Sequence, residues 1–347
     1  MSNIFSPELS AFWERSQAAF DSALRTFLSS SISPYGESVD KLKNLDDAVA
    51  YALGIDSEAK PGKHIRPMLC LLCSHFLGNT SGDAMPFALA IEIMHNFTLV
   101  HDDIEDQDDW RRGRPSVWKK HGFDQGINIG DFMQNLVYRC LLQSQTTLSI
   151  AQTLRLCQLM TNTIEMTIRG QTLDMNARKQ QIKMDEYMKI VTYKTGYCLA
   201  APLVAGAIIA GADETTQATL TQIGLALGPL FQIRDDVIDL TANKGRAEIG
   251  SDIREGKRSV LVAIACDRAP QTQTQKLLQI LDTPRMENTT DEILWCRDLF
   301  DQCGAFEQAK VMCDQLSTQM FENLDKLPRS LSAPLSEVID YLRKRNA

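Results

Sequence analysis

The stretch FTLVHDDIEDQDDWRRGRP, residues 97–115, places an apolar segment directly before a dense run of charged side chains. Six of the eight residues that begin at Asp102 are acids, and Arg111, Arg112 and Arg114 follow at once. One interpretation is a solvated helix face that carries both signs of charge. The other is a site in which the acids bind a metal ion and the arginines bind phosphate.

The sequence around this stretch has helical periodicity, and no strand-like alternation bounded by hairpin turns interrupts it. Near the C-terminus, after a proline, Leu335, Val338, Ile339 and Leu342 mark one helix face. The most apolar stretch, residues 196–212, is too short for a membrane span and predicts a buried helix. We therefore expect an all-α protein with about ten or more helices and no transmembrane segment.

The composition excludes several classes of protein. The chain has 347 residues, of which 44% are hydrophobic and 23% charged, as in globular proteins. Its formal net charge of −8 gives no basic field for nucleic acid, so we expect no nucleic-acid partner. The first residues lack the basic start and apolar core of a secretory signal.

Nine scattered cysteines are more typical of reduced thiols in a cytoplasmic protein than of a disulfide framework. Cys70 and Cys73 form a CxxC pattern, but their neighbours are apolar, so we interpret both as core residues. The length of the chain is compatible with either one domain or two. No long interdomain linker is visible, and composition predicts breaks at residues 29–36, 78–83, 112–116, 241–250 and 282–292.

The pattern DDxxD occurs twice, about 130 residues apart, each time after an apolar helical segment. The aspartates are Asp102, Asp103 and Asp106 in the first copy and Asp235, Asp236 and Asp239 in the second. The outer aspartates of each copy are four residues apart and share a helix face. Carboxylates clustered on mostly buried helices need a cation, and oxygen ligands combined with substrate phosphates suit Mg²⁺.

Basic residues follow both acid clusters, Arg111 and Arg112 after the first and Lys257 with its neighbouring arginine after the second. A further pair, Lys63 and Arg66, lies three residues apart at a predicted helix start. Alone, each cluster is compatible with a solvated helix surface. Together, two acidic motifs with separate basic clusters favour a metal site that binds two phosphate-bearing substrates.

The ordered motifs resemble those of the trans-isoprenyl diphosphate synthases, all-α enzymes that join isopentenyl diphosphate to an allylic diphosphate. The resemblance spans about residues 60–260 and rests on GKxxRP, DDxxD with RRGRP, INIGD, GQTLD, YKTG, FQxxDDxxD and GSDIREGKR. It implies one domain over residues 1–347, with helices around a deep central cavity, and a homodimer. It also explains why no nucleophilic triad is found, because the departing diphosphate serves as the base in such enzymes.

The resemblance also assigns roles by position. Both aspartate triplets would hold the allylic diphosphate through several Mg²⁺ ions. Residues that would contact the same diphosphate are Arg111, Lys194, Gln232 and Lys257. Residues that match the pocket for isopentenyl diphosphate are Gly62, Lys63, Arg66, His95 and Arg112. Gln171 and Asp174 would line the cavity.

The sequence departs from the family pattern in two segments. His64 stands where the family usually has arginine, which predicts weaker binding of isopentenyl diphosphate. In the loop after the second DDxxD, relatives carry a lysine shortly before the glycine of GSD. Here Arg246 would substitute for that lysine, and Glu248 would oppose phosphate if it pointed inward.

Product length in the family depends on the bulk below the first DDxxD. Phe97 with the smaller Thr98 resembles the geranylgeranyl diphosphate synthases, although an ideal helical wheel places Phe97 beside the Asp102 face. A farnesyl or longer-chain synthase is the alternative within this class. A non-catalytic regulatory subunit is an alternative from another class, but such subunits have damaged aspartate motifs, and both motifs are intact here. A terpene cyclase would have an altered second motif. A purely structural helical bundle would leave both acid clusters unexplained.

Overall fold

The computed structural model describes residues 5–32, 43–56, 62–79, 82–241, 249–285 and 287–344. Within these ranges the protein consists of helices and one small hairpin, which confirms the expected all-α class. None of the described helices is both long and apolar enough to cross a membrane.

The packing divides the chain into two compact units. Unit 1 comprises Met1–Asn162, Ala201–Ala218 and Leu327–Glu337, and unit 2 comprises Thr163–Ala200, Thr219–Lys326 and Val338–Ala347. The first DDxxD therefore belongs to unit 1 and the second to unit 2. A single domain over the whole chain stays a prediction.

The described residues of the first half of the chain form seven α-helices, a hairpin and a 3-10 turn. In order they are α1 Pro7–Ile32, α2 Lys43–Leu53, α3 Ile65–Phe76, α4 Met85–Glu105, β1 Trp110–Arg111, β2 Arg114–Pro115, α5 Val117–His121, α6 Phe123–Gln143, the 3-10 turn Ser144–Thr146 and α7 Ile150–Ala177. The hairpin overlaps the predicted break at residues 112–116, and its two-residue strands are the exception to the expectation that the chain has no strands.

In the described part of the second half, every regular element is a helix. Its elements are α8 Met184–Val191, a π-helical turn Thr192–Gly196, α9 Tyr197–Ile209, α10 Glu214–Thr241, α11 Ser251–Arg254, α12 Val260–Arg268, α13 Gln271–Leu281, α14 Thr290–Gln302, α15 Ala305–Leu324 and α16 Arg329–Lys344. Most of the predicted break at 241–250, with Arg246 and Glu248, lies outside the described residues.

Helix α4 carries much of the core of unit 1. Its side chains Phe87, Ile91, Met94 and Phe97 are at most 3% exposed, and each such burial stabilises by about 1.5–3 kcal/mol. Helix α6 approaches α4 closely, since a Cβ atom at Gly130 would lie 2.5 Å from Cδ2 of His101. The glycine of the INIGD motif therefore permits this contact.

Two predicted core segments are confirmed. Helix α9 is almost entirely buried, and a Cβ atom at its Gly206 would lie 2.6 Å from the carbonyl oxygen of Cys70. Cys70 and Cys73 are fully buried, and burial raises the pKa of the Cys73 thiol well above its usual value, so both pack as apolar side chains.

The C-terminal helix has the predicted buried face, with Leu335, Val338, Ile339 and Leu342 at most 2% exposed. Helix α16 begins at Arg329, however, so Pro334 lies inside it rather than before it. The proline costs one backbone hydrogen bond, and burial of the apolar face offsets that loss.

Candidate active site

In unit 1, the RRGRP motif, residues 111–115, forms most of a hairpin that follows α4 after a short loop. Arg111 pairs with Arg114 across the strands, and the turn residues Arg112 and Gly113 have φ angles of 54° and 77°. Two consecutive positive φ angles define a type I′ turn, whose twist fits a short hairpin. An arginine with positive φ is uncommon, so other contacts must hold this turn.

Arg114 anchors the hairpin to the end of α2. Its Nη1 donates to Oδ2 of Asp56 at 2.7 Å, its Nη2 donates to the carbonyl oxygen of Tyr51, and its guanidinium lies 3.9 Å from the Tyr51 ring centroid. The Tyr51 hydroxyl in turn donates to the carbonyl oxygen of Pro115 at 2.7 Å. Arg114 therefore stabilises the position of the hairpin, whereas Arg111 and Arg112 bind side chains of α4.

Arg111 binds the first DDxxD. Its Nε donates to Oδ1 of Asp103 at 2.8 Å, its Nη2 donates to the same oxygen, and Asp103 is only 2% exposed. Burial raises the pKa of Asp103 to about 6, although the charge and hydrogen bond of Arg111 act in the opposite direction. The charge of Arg111 therefore does not fully offset the cost of burying the Asp103 carboxylate, and a bound cation would stabilise its ionised form.

Three residues of the predicted isopentenyl diphosphate pocket lie near one another. Burial lowers the pKa of His95 well below its usual value, and the positive charges of Arg66, Arg112 and Arg111 act in the same direction. The His95 imidazole is therefore neutral near pH 7 and can donate from one ring nitrogen while accepting at the other. Lys63 is exposed and Gly62 is half-buried, and both precede the first residue of α3.

In unit 2, Asp236 is held by three donors. The Tyr187 hydroxyl donates to Oδ2 at 2.8 Å, the Val260 backbone N–H to Oδ2 at 2.9 Å, and Gln232 Nε2 to Oδ1 at 2.9 Å. Burial, reinforced by the charge of Asp252, raises the pKa of Asp236 to about 7 despite these hydrogen bonds. Like Asp103, this carboxyl group therefore lacks full charge compensation from the protein.

The other two aspartates of the second DDxxD differ in exposure. Asp239 is 3% exposed and accepts from the Ser251 hydroxyl at 2.6 Å and from the Asp252 backbone N–H at 3.1 Å. These bonds tie the end of α10 to the first turn of α11. Asp235 is half-buried.

The predicted cations of unit 2 are paired with acids. Lys194, in the π-helical turn, donates to Oδ2 of Asp174 at 2.9 Å. The Nζ atom of Lys257 lies 2.5 Å from Oε2 of Glu255 and 3.5 Å from Oδ1 of Asp252. A Cβ atom at Gly170 would lie 2.6 Å from the Cα atom of Lys194, so the glycine of GQTLD lets α7 approach this turn. The two motifs therefore meet in the fold: Gly170 of GQTLD leaves room for the backbone of Lys194 in YKTG, and Asp174 of GQTLD accepts from its side chain.

No three His, Cys, Asp or Glu side chains in the described parts of the chain form a group that could hold a metal ion by themselves. Asp103 faces Arg111, and Asp236 and Asp239 face donors of the protein. A metal ion here would need oxygen atoms from a substrate in addition to the carboxylates, which is how Mg²⁺ commonly binds with phosphates.

A model of the polyprenyl synthetase family matches residues 47–297, a range that contains both DDxxD copies and the hairpin. The chain belongs to the polyprenyl synthetase family. A short chain isoprenyl diphosphate synthase of Methanothermobacter thermautotrophicus is 31% identical over 288 residues, covering 82% of this chain and 86% of that relative. A geranylgeranyl diphosphate synthase of Sulfolobus acidocaldarius is 35% identical over 225 residues, covering 63% and 68%.

Solved structures agree with this assignment to the polyprenyl synthetase family. The crystal structure of geranylgeranyl pyrophosphate synthetase from Pyrococcus horikoshii has a TM-score of 0.84 and 25% identity to this chain. It covers 97% of this chain and 99% of its own. The resemblance inferred from the motifs is thereby confirmed at the level of the family and its fold.

For this member of the polyprenyl synthetase family, sequence reasoning missed several residues that hold the site together. Tyr51, Tyr187, Glu92 and Asn96 were not predicted. Tyr51 and Tyr187 lie far in sequence from their partners and carry no local signal. Glu92 and Asn96 did carry one, because they are polar residues four apart within an apolar helix segment and so share a face.

Proposed function

We propose that this chain joins isopentenyl diphosphate to an allylic diphosphate and that its main product is geranylgeranyl diphosphate. The observation that carries the proposal is the arrangement at the end of α4, where DDxxD lies beside Arg111 while Arg66, His95 and Arg112 lie near one another. One acidic and one basic group, close in the same unit, suit two diphosphates with different binding modes.

We infer that Mg²⁺ is the cofactor, held by Asp102, Asp103 and Asp106 in unit 1 and by Asp235, Asp236 and Asp239 in unit 2. The all-oxygen donors suit this ion, and the raised pKa values of Asp103 and Asp236 indicate carboxyl groups that would gain from a cation. When bound, Mg²⁺ would neutralise negative charge on the departing diphosphate.

The cations of the chain would assist the same charge development. In this proposal Arg111, Lys194 and Lys257 contact the allylic diphosphate, and Gln232 supports it while holding Asp236. Each cation now pairs with an acid, and each could donate to a phosphate oxygen instead. The isopentenyl diphosphate would bind Lys63, Arg66, His95 and Arg112, with Gly62 allowing close approach.

The reaction requires no nucleophilic side chain. The allylic carbon–oxygen bond breaks and its electron pair leaves with the diphosphate. The double bond of isopentenyl diphosphate then forms the new carbon–carbon bond, and the diphosphate takes up the proton lost in the last step. The neutral His95 and the paired cations would bind and orient substrates rather than react with them.

Phe97 and Thr98 support a twenty-carbon product. Phe97 is 3% exposed on α4, and its ring centroid lies 6.1 Å from that of His101. The Thr98 hydroxyl donates to the carbonyl oxygen of His95 at 2.8 Å, so it is turned back onto its own helix. A bulky ring beside a small side chain is expected to limit the space for a growing tail.

We also propose that the chain acts as a homodimer. Phe123, Ile127, Tyr138 and Leu142 are 37–56% exposed and fall within about 100° of one another around α6. Such an apolar face is typical of an interface. Sedimentation velocity would test this, with Ile127→Lys expected to shift the protein toward monomer.

The nine unbridged cysteines fit our further proposal of a reducing compartment such as the cytoplasm.

The proposed activity is tested by incubating the protein with isopentenyl diphosphate, Mg²⁺ and, separately, dimethylallyl, geranyl or farnesyl diphosphate. Mass analysis should find a dominant twenty-carbon product. A fifteen-carbon or longer product would retain the reaction but replace the product assignment by a farnesyl or longer-chain synthase. No product with any primer would favour a non-catalytic regulatory subunit.

A further inference from the structure

A chain of buried polar side chains runs through the core of unit 1 and ends at Arg112. It contains His64, Glu92 and Asn96, which are 7%, 5% and 1% exposed. A buried acid and a buried amide on an apolar helix cost free energy unless their polar atoms are bonded. Here each of them contacts the next, so the arrangement is a connected network.

Glu92 lies at the centre of this network. Its Oε1 accepts from Asn96 Nδ2 at 3.1 Å and lies 3.1 Å from Nδ1 of His64. Burial raises the pKa of Glu92, but the hydrogen bond from His64 and the charges of His64, Arg66 and Arg112 outweigh burial and lower it. Glu92 is therefore an ionised carboxylate, which can only accept hydrogen bonds.

The ionised Glu92 fixes which way the Asn96 amide points. Because the carboxylate only accepts, Asn96 turns its NH₂ group toward Glu92, and the same group also donates to the Glu92 carbonyl oxygen at 2.8 Å. The amide oxygen must then face the opposite side, where it accepts from Nη2 of Arg112 at 3.2 Å. A change at Glu92 would thus be transmitted to Arg112 without any direct contact between them.

His64 secures the other side of Glu92. It precedes α3 in the left-handed conformation, with φ 43°, which is uncommon for a residue other than glycine. Its ring packs against Phe20 with centroids 4.9 Å apart, and its Nε2 lies 3.5 Å from Oδ1 of Asp21. A Cβ atom at Gly62 would lie 3.0 Å from the ring, so the small residue there leaves room for it.

Arg111 and Arg112, although adjacent, therefore contact different levels of α4. Arg111 donates to Asp103, and Arg112 donates to Asn96, seven residues earlier and about 10 Å away along the helix axis. We propose that Glu92 and Asn96, fixed by His64, are positioning residues that orient the Arg112 guanidinium for the diphosphate of the isopentenyl substrate. This inference rests on the proposed function.

The test compares steady-state kinetics of the wild type, Glu92→Gln, Arg112→Gln and the double variant, with each substrate varied in turn. Glutamine keeps the size of Glu92 but can present its own NH₂ group to Asn96. We expect Glu92→Gln to raise KM for isopentenyl diphosphate about tenfold and to change KM for the allylic diphosphate less than about twofold. The double variant should match Arg112→Gln alone, because Glu92 acts through Arg112.

Asn323→Ala is the matched control. Asn323 is also buried on a helix, donates to the carbonyl oxygen four residues earlier at 3.1 Å and accepts from Lys326 at 2.9 Å. Both KM values should stay within about twofold of wild type. If Glu92→Gln does not fold, Asn96→Ala takes its place, since it removes the acceptor of Arg112 without changing charge.

The outcomes separate the two proposals. A wild type that makes no prenyl product overturns the proposed function and the positioning roles with it. An active wild type in which Glu92→Gln leaves KM for isopentenyl diphosphate unchanged overturns the positioning roles alone. Equal rises in both KM values, or single effects that multiply in the double variant, would also overturn them, because a general structural defect behaves in that way.

Discussion

Arg111 donates from Nε to Oδ1 of Asp103 across 2.8 Å, so the most buried aspartate of the first DDxxD is bound to the first arginine of the hairpin. The two residues are eight apart and lie on different elements, and the chain reversal after α4, where Gln107 has a φ of 55° and the Asp108 N–H donates to the Asp103 carbonyl oxygen at 2.8 Å, brings them together. Before any substrate binds, the guanidinium thus supplies part of the positive charge that the carboxylate needs.

Arg111→Gln should leave Asp103 buried without its cation. We expect a loss of about 1–3 kcal/mol in stability, less than for a fully buried pair because the Arg111 side chain is 26% exposed. Thermal unfolding would measure it. Adding Asp103→Asn to Arg111→Gln should recover most of the loss, because the orphaned charge is then gone. A double variant as unstable as Arg111→Gln would contradict this account.

Gly170→Ala should displace the π-helical turn that carries Lys194, because a Cβ atom at position 170 would overlap backbone atoms of Lys194. We expect a lower melting temperature and at least about a tenfold loss of kcat/KM, since small displacements of binding groups are costly. The matched control is Gly196→Ala in the same turn, whose Cβ atom would meet its nearest neighbour at 3.4 Å. Equal activity of the two variants would argue against a role for this close contact.

The helical class and both acid clusters could be predicted because they repeat local signals, the 3.6-residue apolar period and DDxxD. The hairpin could not, because two-residue strands are too short to alternate and its turn lacks the Asn-Gly signature. The partnership of Tyr187 with Asp236 spans 49 residues and leaves no pattern in either segment. For the buried network of His64, Glu92 and Asn96, the sequence shows only that Glu92 and Asn96 are four residues apart. This spacing predicts a shared helix face but does not identify the partners of either side chain.

The stability of the protein should depend on pH through His95. Its pKa in the folded protein lies well below 6.5, mainly because of burial, whereas an unfolded chain takes up a proton on this residue near pH 6.5. Below that pH the unfolded state binds more protons, so the contribution of His95 to stability is lost as pH falls.

The measurement compares denaturant unfolding of the wild type with that of His95→Gln, which cannot titrate in this range. Between about pH 6.5 and 5.5, the wild type should lose up to about 1 kcal/mol more than the variant. Parallel pH profiles for the two proteins would show that His95 becomes charged within the fold as easily as in the unfolded chain.

Phe97→Ala should lengthen the product. The ring is 3% exposed on α4, five residues before Asp102, and its removal opens space below the predicted diphosphate site. We expect products with at least one further five-carbon unit, measured by mass analysis after incubation with farnesyl diphosphate. Phe87→Ala is the control, because it makes the same truncation on the same helix at a fully buried position. Longer products from both variants would indicate a loosened core, and unchanged products from Phe97→Ala would exclude the ring as the floor that limits the growing tail.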